Sequence, residues 1–387
     1  MFGKRSNKAR LTRGLFLILA LILAVSLSLA GCGGSKGTAP DASKTGQAGQ
    51  AEKTAKKSGF NIALLDGTNG NAWRIQMEQN MQQVADKLKS QGIISNYSVY
   101  VANNDATTQA QQMDQLINSG VDAILINPVS ATALAPVIDK AVSKGILVMA
   151  IDQHISHPKV ISVTTDQYEW ARIQAEWLAK QLNGKGDILQ FDAIAGAPAN
   201  EVRHQAFADV LAKYPGIKVL KQVNMDWDEG KAKQLMTSLL STYPNFDAIL
   251  CQDGAAVGII NALQEANHPL PKAITSDEWI AYLRLWYDIN QKNPNNPLNA
   301  IIVENPPGIG ADGLMIAVNL LQGKKLKDGV LTSDPMDKAN KNAIMIKPTL
   351  IITNENLKEW YEKTKDKPDT YYIDSVLSPE EIDKLFQ

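Results

Sequence analysis

Carboxylates and amides recur where apolar runs stop. Asp66 follows the run at 60–65, Asn127 that at 122–126, Asp152 that at 146–151, Asp253 that at 247–251, Asp277 that at 273–275, and Glu304 that at 299–303. A buried strand that ends on such a group sets it on the rim of a parallel sheet, where open α/β folds take small ligands. Any single one of them would serve as well to form a turn or cap a helix, jobs for which Asp and Asn are favoured. Their recurrence is what favours a binding rim.

Two chemistries fit a cluster of acids. A metal site or an acid/base pair is one, but the patterns H-E-x-x-H and D-x-D-x-D-G are absent. Of the four histidines, 154, 157, 204 and 268, the first two read as parts of a solvated loop. The other chemistry is hydroxyl recognition. Carboxylates accept hydrogen bonds from vicinal hydroxyls, Arg and Asn donate to oxygens, and indole faces cover C–H surfaces. A handful of charge-assisted bonds at about 1.5–3 kcal/mol each, with stacking, would reach about −8 kcal/mol, equivalent to about 1 μM. That suits a polyol.

The loop at 66–71 leads from the first apolar run into a helix that starts with Trp73 and Arg74 and carries Met77, Met81, Val84 and Leu88 on one face. It offers an amide, an indole and a guanidinium to the same rim. Asn71 would equally cap the helix and Trp73 pack on the sheet. Asp226 and Asp228 flank Trp227, which marks a loop and favours an indole free to stack over one in the core.

The elements that must position these groups follow from the hydrophobic pattern. Strands are expected at 60–65, 97–102, 122–126, 146–151, 160–163, 187–191, 217–223, 247–251, 273–275 and 299–303, with amphipathic helices between most of them. Repeated βα units give an α/β fold of parallel sheets covered by helices on both faces. So many strands exceed one ordinary doubly wound sheet, so two Rossmann-like lobes are expected, with the break near 163–166. No G-x-G-x-x-G or G-x-x-x-x-G-K-[ST] follows a strand, which removes a dinucleotide or phosphate cradle, and no cofactor is implied. No Ser or Cys nucleophile stands beside a suitable His, so the chain does not read as an enzyme. With 39 Lys+Arg against 40 Asp+Glu, no basic excess points to nucleic acid. The 387 residues, 44% hydrophobic and 20% charged, suffice for a sizeable core.

Lys4, Arg5, Lys8, Arg10 and Arg13 precede an apolar run at 15–30, too short for a membrane span and suited to an export signal over residues 1–31. Leu29-Ala30-Gly31-Cys32 resembles the bacterial lipobox, which implies lipidation of Cys32 and a chain anchored outside the cytoplasmic membrane. Residues 33–58 lack large apolar side chains, so 32–58 is expected to be a flexible tether. Cys251, inside an apolar run, reads as a buried structural thiol.

From Phe60 to about Leu326 the chain resembles the periplasmic sugar-binding proteins of the ribose- and galactose-binding type, solute receptors of ATP-binding-cassette importers. The resemblance rests on FNIALLDGTNGNAWR, DAILINPVSATALAPVIDKAVSKGILVMAIDQ, VISVTTDQ, DILQFDAIAGAPANEVRHQAF, AILCQDGAAVGIINALQEA, SDEW and VENPPGIGADG. It implies ligand contacts from Asn71, Trp73 and Arg74, a first carboxylate at Asp152, an arginine at Arg203, a stacking aromatic at Trp227, and further polar contacts at Asp253, Asp277 and Glu304. Gln153 stands where the ribose-type pattern has an arginine, Asp253 where asparagine is commoner, and Glu304 where glutamine is commoner. These departures leave open another pentose or hexose, a polyol, or a ligand of cationic character. Crowded carboxylates also call for Arg74 and Arg203 close by.

The resemblance further implies three crossings between lobes, near 164–166, 304–307 and 347–348. Residues 59–165 and 305–347 would form one lobe, and 166–304 with 348–387 the other lobe and tail. The tail from about 357 extends past the family pattern and is expected to pack across the hinge side. Expected partners are a sugar or polyol, the membrane permease and, through the lipid, the membrane, for a monomer that binds no nucleic acid. A sensor lipoprotein presenting its ligand to a membrane kinase or chemoreceptor would use the same fold and site.

Overall fold

The computed structural model describes residues 59–387 apart from 334, 336 and 337. The expected signal segment, the lipidation site Cys32 and the tether lie outside the described residues. In chain order the elements are β1 (Phe60–Asp66), α1 (Ala72–Ser90), β2 (Ile94–Val101), α2 (Ala106–Ser119), β3 (Ala123–Asn127), α3 (Ala135–Ser143), β4 (Leu147–Ile151) and β5 (Ile161–Thr165). Then come α4 (Gln167–Gln181), β6 (Lys185–Asp192), α5 (Pro198–Leu211), β7 (Gly216–Asn224), α6 (Glu229–Thr242), β8 (Ala248–Cys251), α7 (Ala256–Glu265), β9 (Ala273–Ser276), α8 (Ile280–Lys292) and β10 (Ala300–Val303). The last are α9 (Ile309–Leu321), β11 (Thr332–Ser333), β12 (Lys341–Ile346), β13 (Ile351–Ile352), α10 (Leu357–Thr364) and α11 (Pro379–Asp383).

Two sheets result: seven strands in the order β11-β12-β5-β4-β3-β1-β2, and six in the order β13-β10-β9-β8-β6-β7. Pairing is parallel except at one edge of each, where β11 and β13 run antiparallel to β12 and β10. The uninterrupted apolar runs explain why both faces are covered. In β1, Ile62 and Leu64 enter one core with α1 and α9, while Ala63 and Leu65 enter another with α2 and α3. The second sheet is sandwiched in the same way, with Leu189 and Phe191 of β6 on one face and Ile188 on the other. Strands and helices share these cores, at roughly 1.5–3 kcal/mol for each large apolar side chain fully buried, with Trp170, Trp286, Tyr282 and Phe207 of the helices among the largest.

Every strand expected from the pattern is present, although β2 starts earlier, at Ile94. The pattern did not reveal β12, whose apolar stretch Ala343-Ile344-Met345-Ile346 opens on the polar Lys341 and Asn342; pairing with β5 makes it a strand. Cys251 is fully buried, and burial pushes its thiol well above the ordinary value.

The chain passes from the first sheet to the second between β5 and α4, back between β10 and α9, and across again between β12 and β13. The tail departs from the expected partition. Leu357 of α10 joins the core of the second lobe, but Tyr372, Ile382 and Phe386 join that of the first, and Leu326 bridges to Phe386. Ile382 of α11 and Phe386 after it are both buried against the first lobe. Residues 348–387 therefore do not belong to the second lobe alone.

Candidate functional site

The carboxyl ends of strands from both sheets converge on one cavity of about 260 Å³. Gly67, Thr68, Asn71, Trp73 and Arg74 come from the turn after β1, Asn127 to Val129 from the end of β3, and Asp152 and Gln153 from the end of β4. Facing them are Ala197 and Ala199 after β6, Arg203 of α5, Trp227 after β7, Asp253 after β8 and Asp277 after β9. Asn305, on the second crossing, completes the lining.

Local chemistry fixes the first wall. Asn71 does both jobs that its position allowed, accepting from the Arg74 N–H at 2.9 Å as helix cap while lining the cavity. The loop can lie against β3 because residue 67 is glycine: a Cβ there would come within 3.0 Å of the Asn127 carbonyl oxygen. The Trp73 indole N–H donates to the Asn305 carbonyl at 2.6 Å, and the Arg74 guanidinium lies 4.8 Å from the same indole ring.

Arg74 Nη2 meets Asp152 Oδ2 at 2.8 Å in a buried ion pair, and Asn127 Nδ2 donates to that oxygen at 3.3 Å. Asp152 holds a left-handed φ of 64°, costly for a residue with a Cβ, and Thr164 Oγ1 donates to its carbonyl at 2.6 Å. Asp152 Oδ1 is buried with no hydrogen-bond partner among the described residues. Gln153 spans the cavity, its Oε1 accepting from the Ala199 N–H at 2.9 Å.

The second wall is more acidic. Arg203 is buried on the Trp170 ring at 4.0 Å, and it donates to Gln167 Oε1 at 2.8 Å and to the Gln252 carbonyl at 2.9 Å instead of to a carboxylate. Asp253 accepts from the Ala255 N–H at 2.6 Å. Asp277 Oδ1 is buried with no partner among the described residues. Burial raises the Asp253 carboxyl to about 6, and burial together with Asp253 raises Asp277 well above the usual range. Behind it Glu278 is raised in the same way by burial and by Asp277. Burial also lowers the Arg203 pKa.

Nine of the ten positions named from the sequence thus line one space: Asn71, Trp73, Arg74, Asp152, Gln153, Arg203, Trp227, Asp253 and Asp277. Glu304 does not. Its Oε1 accepts from Thr349 N, Thr349 Oγ1 and Leu350 N at 2.5, 2.7 and 2.8 Å, so the expected ligand contact fastens the third crossing to the second. Its neighbour Asn305 reaches the cavity instead; the only signal was its place before Pro306-Pro307. Trp227, at φ 55°, stands in a loop, half-buried, among the residues that line the cavity. No group of three or more His, Cys, Asp or Glu suited to a metal ion occurs among the described residues.

The periplasmic binding protein domain family matches residues 62–325. A xylitol-binding protein of Mycolicibacterium smegmatis is 37% identical over 168 residues, spanning 43% of this chain and 48% of that protein. The ribose import binding protein of Escherichia coli is 26% identical over 268 residues, 69% of this chain and 86% of that protein. Among solved structures, an ABC transporter solute binding protein from Thermobispora bispora superimposes with a TM-score of 0.72 at 27% identity, over 84% of this chain and 93% of that one.

Proposed function

This chain belongs to the periplasmic binding protein domain family, and from that premise we propose that it captures a sugar or related polyol between its lobes and delivers it to an ATP-binding-cassette importer. Its relatives are binding proteins for sugars and polyols, and the chain is a solute receptor of this kind, not an enzyme. One observation carries the ligand class. Asp152 and Asp277, on opposite walls of one cavity, each keep a buried carboxylate oxygen without a partner among the described residues. A buried acceptor left unsatisfied costs roughly 1–3 kcal/mol, and a hydroxylated ligand removes that cost on both walls at once.

In this reading the ligand donates hydroxyls to Asp152, Asp253 and Asp277, accepts from Arg74, Arg203 and Asn305, and lies against the faces of Trp73 and Trp227. A cavity of about 260 Å³ sits just under the roughly 300–1,000 Å³ of ordinary small-molecule pockets, which suits one sugar ring or one open-chain polyol. The segments at 304–308 and 347–350 with Asp166 serve as hinge, stiffened by Pro306 and Pro307 and stapled by Glu304. Closure by hinge rotation is the switching mode for which periplasmic binding proteins are a standard example. Residues 1–31 act as export signal and the chain is held at the membrane by lipid on Cys32. Intact mass of the membrane-extracted protein, showing acylated Cys32 as its first residue, supports this; a mass beginning at Met1 refutes it.

A thermal-shift screen over pentoses, hexoses, pentitols, inositols and amino sugars tests the capture. Stabilisation by at least one member, lost in Arg203→Met, is the expected result. No stabilisation by any member at millimolar concentration would overturn it.

A further inference from the structure

Residues 371–377 lie between the two lobes and bond to both. Against the second lobe, the Ile280 N–H donates to the Tyr371 carbonyl at 3.0 Å and the Ile373 N–H to the Glu278 carbonyl at 3.1 Å, a short antiparallel pairing centred on Trp279 and Tyr372. Against the first lobe, Gln76 of α1 holds the backbone of Tyr372 at both groups: Tyr372 N–H donates to Oε1 at 2.9 Å, and Nε2 donates to the Tyr372 carbonyl at 3.0 Å. Asp374 then gathers Gln76 Nε2 at 2.9 Å, Asn80 Nδ2 at 2.6 Å and the Gly308 N–H at 2.7 Å.

Side chains divide in the same way. Tyr372 is buried in the core of the first lobe and Ile373 in that of the second, so consecutive residues face opposite cores, as an extended segment requires. The Tyr372 ring stacks on Trp279 with centroids 6.0 Å apart. The fit admits no side chain at residue 308, where a Cβ would fall 2.0 Å from the Ser375 carbonyl oxygen; Gly308 has an ordinary φ of −56°, so it is needed here for space.

Both anchors adjoin the cavity. Gln76 stands in the second turn of the helix that carries Trp73 and Arg74, and the Glu278–Ile280 backbone directly follows Asp277. We propose that residues 371–377 are a fourth connection between the lobes, a latch that holds the Trp73–Arg74 wall against the Asp277 wall, with Gln76 and Asp374 as positioning residues for the ligand. The role in binding rests on the capture reading above. The connection itself does not.

The test uses the full chain carrying Gln76→Met, which keeps the side-chain volume and removes its hydrogen bonds, with Asp374→Asn as a second variant should the first fold poorly. Without ligand, hydrogen exchange at residues 277–280, across the cavity from the substituted helix, speeds by at least tenfold while exchange in β8 is unchanged. With the sugar or polyol that stabilises the wild type most, the dissociation rate rises at least tenfold and the association rate stays within about twofold. A lower melting temperature with exchange at 277–280 and dissociation both unchanged would reduce the segment to local packing and overturn the latch. If no member of the sugar and polyol screen binds the wild type, the capture reading falls, and the ligand-free exchange result alone decides the latch.

Discussion

Replacing Asp277 by Asn separates binding from folding at this site. The carboxyl is buried, has one oxygen without a partner, and is pushed above its ordinary 3.8 by burial and by Asp253. The folded protein thus holds a proton there at pH values where the unfolded chain has released it, and this group's contribution to stability falls as pH rises from 3.8 upward. An amide of the same shape removes that cost, so the melting temperature of ligand-free Asp277→Asn at pH 7.5 equals or exceeds that of the wild type. Binding moves the other way. One hydrogen bond made by the proton-holding carboxyl, worth about 0.5–1.5 kcal/mol, is lost, which corresponds to about 2- to 12-fold in Kd.

Asp152→Asn is the control with the opposite signature. Asp152 is the partner of Arg74 at 2.8 Å, and both side chains are at most 7% exposed. Stranding a buried guanidinium costs about 3–5 kcal/mol. At about 2 °C per kcal/mol for a domain of this size, the ligand-free melting temperature falls by about 6–10 °C. Differential scanning fluorimetry from pH 5 to 8 and isothermal titration on both variants provide the assay. A large loss of ligand-free stability in Asp277→Asn, or unchanged affinity, would refute the assignment of Asp277 as a ligand acceptor held at the expense of stability.

Trp227→Ala removes a half-buried indole from the cavity wall; titration should show at least about fivefold weaker binding from the lost aromatic contact, with a melting temperature within about 2 °C of wild type. Glu304→Gln weakens the three hydrogen bonds to Thr349 and Leu350 but none to the cavity; scanning calorimetry should show a loss of about 1–3 kcal/mol, with ligand selectivity across the sugar screen unchanged. Burial raises Asp312, which accepts from the Leu377 N–H at 2.8 Å, from 3.8 to about 7. Its contribution is fully present below 3.8 and is lost as pH rises to about 7, so Asp312→Asn should flatten the fall in melting temperature across that window, and an unaltered pH profile would contradict the raised value.

The sequence alone determined the alternation of strands and helices, the two α/β lobes and the rim of strand-end polar groups. These are local properties: an apolar run long enough for a covered strand, then a residue whose side chain suits a turn. It also brought Asn71, Trp73 and Arg74 together, since they share one turn. Tertiary structure decided the rest, because each outcome depends on which distant segment arrives. Asp152 pairs with Arg74 across 78 positions and Trp73 with Asn305 across 232. Glu304 turns to the crossing at Thr349 and Leu350, leaving Asn305 to face the cavity, a difference of one residue that no local pattern fixes. The tail carries only short helices and scattered aromatics, so its division between two cores, Tyr372 to one and Ile373 to the other, is set by the surfaces it meets and not by its own periodicity.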